Sequence, residues 1–125
     1  MLKYINKEEY IELLGADSIP DDFNNLVIKA SSYINRRTFG RIDIENIPEE
    51  VKYATCLIIE LENKADIQKQ EIGNIKSQNI EGWSETYSTS EEIDSKLKSD
   101  KEDIVKEQLW NVIGKDGNYL LYRGE

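Results

Sequence analysis

The chain has 125 residues, 38% of them hydrophobic and 33% charged, with a formal net charge of −9 and a pI near 4.6. That length predicts one domain able to bury a core without staples, and the acidic balance argues against general binding to a phosphate backbone, which needs clustered Lys and Arg. A lone Cys56 excludes an internal disulfide, and Met1–Tyr10 alternates charged with apolar residues, unlike a secretory leader. No apolar run nears the roughly 20 residues of a membrane span. A soluble, cytosolic protein is expected.

In chain order, Asn6 followed by Glu9 has the spacing of a capping box and opens a short helix through Tyr10, Leu13 and Leu14, with Gly15 placed as its left-handed stop. After a connector at 16–20, Asp21 or Asp22 can cap a second helix. Its apolar positions Phe23, Leu26, Val27, Ala30 and Ile34 follow the 3.6-residue period. Ile28 falls off that face and is expected to be exposed. Phe39-Gly40 closes the segment. Arg36, Arg37 and Arg41 form the only basic cluster. Such a cluster either meets an acidic partner or phosphate, or complements the helix dipole and neighbouring acids.

Pro48–Ala65 is the predicted hub. Pro48 suits a helix start, Glu49 and Glu50 sit where the macrodipole favours acids, and Val51, Ala54, Ile58, Leu61 and Ala65 line one face. Cys56, Leu57 and Ile59 leave almost no polar side in its middle. A helix apolar nearly all round is covered on more than one side, by its own bundle or by another subunit. Residues 1–66 therefore read as the N-terminal helices.

Beyond them, Ile75–Ile80 and Trp83–Tyr87 show short alternation around Glu81-Gly82, which predicts a β-hairpin arm over 74–88. Trp83 and Tyr87 share a strand face. A lone hairpin is marginal in water, so that face leans on the protein's own helices or reaches a neighbouring subunit. Residues 89–101 are acidic, with only Ile93 and Leu97 as apolar anchors, and read as an acidic loop or a loose helix. Helical periodicity returns over 102–114 at Ile104, Val105, Leu109, Val112 and Ile113, and Gly114 stops it. Turn chemistry at 115–118 leads to Tyr119-Leu-Leu-Tyr-Arg-Gly-Glu125. Consecutive large apolar residues there need a dock, in the chain's own core or in a partner.

Little chemistry is on offer. Histidine is absent, which removes the commonest general base and neutral metal ligand. Cys56 sits in an apolar run and reads as a buried structural thiol. No glycine-rich phosphate loop exists, the acid pairs Asp21-Asp22 and Glu91-Glu92 stand at helix starts, and Asp116-Gly117-Asn118 lacks the remaining ligands of a calcium loop. No catalytic residue, cofactor or metal site is assigned.

The order of parts carries a resemblance. A short N-terminal helix precedes F-x-x-L-V-x-x-A-S-x-x-I at Phe23–Ile34, then a Pro-started helix with V-K-x-A-x-C at Val51–Cys56. An I-x-S-x-x-I/W-S-x-x-Y segment at Ile75–Tyr87 leads to a last helix and an L-L-Y-R-G ending at Leu120–Gly124. This layout resembles the head-tail connector (adaptor, head-completion) proteins of tailed bacteriophages and related prophages, over nearly the whole chain. The acidic segment Ser88–Lys101 is longer than the usual link of that family.

The resemblance implies a mainly α subunit, a small bundle of about four helices with one β-hairpin arm and an extended C-terminal docking tail at 115–125. It implies a structural virion component of the neck, assembled in the host cytoplasm as a ring under the portal, about twelve copies to match the portal's symmetry. Such a ring extends the DNA channel, passes DNA without specific binding, and carries a downstream neck, stopper or tail-completion protein. Tyr119, Leu120, Leu121, Tyr122, Arg123 and Gly124 are then the portal-binding candidates, and Ile80, Trp83 and Tyr87 the subunit or neck-protein contact. Arg36, Arg37 and Arg41 remain candidates for an acidic partner. The rival readings are a small helical interaction or regulatory module outside virions, and an enzyme working from acidic residues with magnesium.

Overall fold

The computed structural model describes residues 2–77 and 90–122, and among them the protein is mainly helical: α1 (Lys7–Leu14), α2 (Phe23–Arg37), α3 (Glu49–Ser77) and α4 (Ser90–Leu109). Both ends of α1 have a local cause. The Asn6 side chain accepts from the Glu9 backbone N–H at 2.8 Å while the Glu9 carboxylate accepts from the Asn6 N–H at 3.1 Å, so two orphan donors are satisfied reciprocally. Gly15, at φ +63°, ends α1 in the left-handed region. Asp22 occupies the N-cap of α2 but its carboxylate accepts from the Asn25 side chain, leaving the helix's own N–H groups without a side-chain cap.

α3 is the hub. It packs against each of the other three helices, most extensively against α4. Val51, Ala54, Cys56, Ile58 and Ile59 are all fully buried, because the neighbours cover more than one side of the apolar middle. The second helix contributes Phe23, Leu26, Val27, Ala30 and Ile34 to the same core, with Ile28 half-buried against it instead of exposed. Tyr10 and Phe23 meet edge to face with centroids 5.4 Å apart. The N-terminal segment crosses α2, where the Tyr4 N–H donates to Ser31 Oγ at 3.0 Å inside the core.

Three expectations need correction. The β-hairpin arm is not supported: residues 75–77 of its first strand are the last turn of α3, and residues 78–89, with Ile80, Trp83 and Tyr87, lie outside the described residues. The stretch after Ala65 is rich in Lys, Gln and Glu, good helix formers, and the hub helix runs straight through Gly73. Residues 90–101 are not a loop but the first half of α4. Ile93 and Leu97, one turn apart, pack on Ala65 of α3, and two anchors at that spacing hold a charged helix against a long neighbour. Finally, the last helix stops at Leu109 and not at Gly114.

Ion pairs stitch the helices together on their polar flanks. Lys52 Nζ stands 2.7 Å from the Glu9 carboxylate, α3 to α1, and Lys101 Nζ 2.9 Å from Glu62, α4 to α3. Lys69 pairs with Asp94 nearer the far end of the same α3–α4 seam. Carboxylate hydrogen bonds push both Lys52 and Lys69 above the usual lysine range. No described helix is long and apolar enough to cross a membrane.

Candidate functional site

Beyond α4, the described residues 110–122 do not form an extended tail. Val112 turns back on Leu109, Ile113 and Tyr119 form an antiparallel bridge, and the Leu120 N–H donates to the Val112 carbonyl at 2.8 Å. Gly117, at φ +83°, supplies the left-handed residue this tight reversal requires. The reversal drives the Leu120 side chain into the core, where it is 0% exposed. Leu120 thus anchors the segment to its own protein, which corrects its place among the surface residues expected to meet a portal. Tyr119, 52% exposed, and Tyr122 face outward, while Leu121 is half-buried. Arg123 and Gly124 lie outside the described residues.

Arg41 holds the reversal from the other side. Its Nε meets Asp116 at 3.0 Å, and its Nη1 donates to the carbonyls of Tyr119 at 3.0 Å and Leu120 at 3.4 Å, and to that of Tyr122. The Arg41 carbonyl in turn accepts from the Lys115 N–H at 2.9 Å. Only a planar fork with several donors reaches a carboxylate and consecutive carbonyls together. The Asp116 carboxyl is held below the usual carboxylate range, chiefly by the Asn118 backbone N–H, with the Asn118 side chain and Arg41 adding to it. This Asx turn, with Arg41, accounts for the acid that resembled a calcium ligand, and no three acidic or thiol groups among the described residues could hold a metal ion together. A Cβ at Gly114 would stand 2.9 Å from the Arg41 carbonyl oxygen, so the close approach of the two segments requires glycine there.

The other two arginines divide. Arg37 pairs with Glu102 of α4 at 2.7 Å and lies 5.2 Å from the centroid of Tyr33, whose other approach is taken by Lys101 at 4.6 Å. Two cations around one ring, with Glu62 and Glu102 as counter-ions, tie α2, α3 and α4. The Tyr33 hydroxyl is buried beside the Arg37 guanidinium, which it helps to hold above the usual arginine range. Arg36 is exposed and makes no ion pair among the described residues. The basic cluster is therefore part clamp and part free surface, and its three members do not converge on one point.

A cleft of about 530 Å³ opens where the end of α2 meets α4 and the C-terminal reversal. Arg36, Arg37 and Lys106 line it together with Phe39, Val105 and Leu121. Phe39 is 54% exposed and stands at φ +57°, in the left-handed region, with the Arg41 guanidinium 4.9 Å from its ring centroid. Tyr122 flanks the same guanidinium at 5.7 Å. Ile113 and Trp110 are also exposed, so large apolar side chains concentrate at the C-terminal end of the described fold.

No family model, no curated protein and no solved structure matches this chain.

The sequence singled out Tyr119 and Tyr122 for one contact and Arg36, Arg37 and Arg41 for another, without joining them, and did not mark Phe39, Lys106 or Val105 for either. The one signal available was a large aromatic standing before Gly40 at a helix stop, where glycine or asparagine is usual.

Proposed function

We propose that the protein is a structural connector of a phage or prophage neck, binding a portal ring through the face built by Arg41 and the C-terminal reversal. The order of sequence motifs suggests the class. The observation that carries the site is the presentation of Tyr119 and Tyr122 on a segment that Arg41 and buried Leu120 hold rigid. Aromatic side chains fixed on a rigid support lose little entropy on binding and make good anchors. Leu121, Arg123 and Gly124 belong to the same proposed contact, with Ile80, Trp83 and Tyr87 as the subunit or neck-protein contact. A ring of such subunits, each at net charge −9, would repel phosphates and let DNA slide through without specific binding.

The test is co-purification with the portal. Truncation after Tyr119 is a poor probe, because it removes core-filling Leu120. Tyr119→Ala with Tyr122→Glu alters the exposed face and leaves the anchor in place. Loss of portal capture with an unchanged melting curve supports the connector reading. Capture that survives both substitutions removes this face from the contact. A chain that never binds portal, and stays monomeric at assembly concentrations, leaves the small helical interaction module as the better reading.

A further inference from the structure

We infer that the cleft between the end of α2 and the C-terminal half of α4 is a docking site for an acidic peptide segment of a partner protein. In it, Arg36 and Lys106 receive a carboxylate, and Phe39 and Leu121 seat the apolar side chain next to it. The cleft does not depend on the connector reading, since its chemistry is defined whatever particle or pathway the chain serves.

Charge is the first argument. On a chain of net charge −9, three cations line this one cleft against a single acid, Glu102, and Arg37 already engages that acid at 2.7 Å. Arg36 and Lys106 are exposed and make no ion pair among the described residues. They are the charge left over, and they select an anion. The apolar lining comes next: Val105 is buried beneath, Leu121 is half-buried, and Phe39 rises at the rim. A carboxylate with an apolar neighbour uses both halves of such a cleft. A phosphodiester backbone uses only the cations and leaves the apolar lining of Phe39, Val105 and Leu121 unfilled.

Phe39 supplies an independent argument. Its φ of +57° is a conformation that a bulky L-residue rarely adopts and that glycine adopts without strain. The strain gives the fold little burial in return, because Phe39 is 54% exposed. Arg41 lies against the ring and holds it at the rim of the cleft. An exposed aromatic kept in a strained backbone is the pattern of a binding residue.

The experiment is fluorescence anisotropy of the full chain with a labelled acetyl-Glu-Asp-Phe-Leu-Glu-Glu peptide, titrated at low and at physiological salt. Saturable binding is expected, weaker in salt, and absent for the analogue in which lysines replace the acids. Arg36→Glu, an exposed change, should weaken it about tenfold. Phe39→Gly should weaken it severalfold while the melting temperature holds or rises, an outcome that a purely structural Phe39 would not give. Equal binding of parent and Arg36→Glu overturns the site, as does a fall in melting temperature that accounts for the Phe39→Gly loss. Preference for a single-stranded oligonucleotide of matching charge overturns the choice of a peptide. So does self-association that Arg36→Glu abolishes, if the peptide does not bind. Peptide binding without portal capture would leave the cleft standing and the connector reading refuted.

Discussion

The Nε of Arg41 and the carboxylate of Asp116 stand 3.0 Å apart, and this contact joins the loop after α2 to the reversal after α4. The same guanidinium reaches carbonyls of the reversal, so it acts as a staple between two parts of the chain that neighbour each other only in the fold. Arg41→Lys keeps the charge but loses the fork, and should lower stability by about 1–2 kcal/mol. Asp116 adds a pH signature. Its carboxyl is depressed in the folded state, so its contribution is present above the ordinary value of 3.8 and is lost as pH falls below it. Urea midpoints at neutral pH and in acid, for parent and Arg41→Lys, check both statements: the variant's deficit should shrink in acid.

Leu120 is core. Leu120→Ala removes a fully buried side chain and leaves a cavity, a change that costs about 2–5 kcal/mol. Tyr119→Ala, on the exposed side of the same segment, should cost well under half of that. Thermal melts of the two variants separate the anchor from the face it presents.

The Lys101–Glu62 pair, at 2.9 Å, is mostly shielded from water. Removing one partner strands a charge, and Lys101→Met should lower stability by about 2 kcal/mol. The double variant Lys101→Met with Glu62→Leu should recover most of that loss, because two apolar groups satisfy the site as two paired charges do. A double-mutant cycle in urea measures the coupling directly. No recovery in the double variant would mean that Lys101 matters through the Tyr33 ring beneath it, 4.6 Å away, and not through Glu62.

Burial pushes the Cys56 thiol and the Tyr4 hydroxyl each up to about 12. Both prefer to stay neutral in the fold, while the unfolded chain ionises them from about pH 9 and 10. Their contribution is therefore complete below about pH 9 and is lost as pH rises toward 12. Stability should fall across that window, and Cys56→Ala should flatten its lower part. At neutral pH a thiol reagent should label Cys56 at a rate that follows opening of the core, speeding up with urea in step with unfolding.

Amphipathic periodicity in α2 and in the first part of α3 was legible because the main buried face of each, Phe23 to Ile34 and Val51 to Ile58, recurs at helical spacing, whereas buried Tyr33 and Thr55 fall outside the predicted face. Asn6 with Glu9 and Gly15 announced the ends of α1, since capping is a local event that needs no distant partner. The first half of α4 was not legible in the same way. Its two anchors, Ile93 and Leu97, are too few to stand out against the acids around them, and they become a face only when Ala65 of α3 lies opposite. Ile75–Ser77 shows the same limit: short alternation suits a strand as well as a helix, and the length of the preceding helix decides.

By itself the sequence determined a helical chain with a central apolar helix and a buried thiol, because local periodicity and capping set those. It left the tail with two fates, its own core or a partner. Tertiary structure divided that tail by side: Leu120 turns in and Tyr119 turns out, because a bridge to Ile113 fixes which of the two faces the core, and Tyr122 is exposed past the turn that its N–H closes on the Tyr119 carbonyl. It also divided the arginines, giving Arg37 to Glu102 and Arg41 to Asp116 and leaving Arg36 at a cleft rim. Charge partners lie far apart along the chain, and only packing brings them within hydrogen-bond reach.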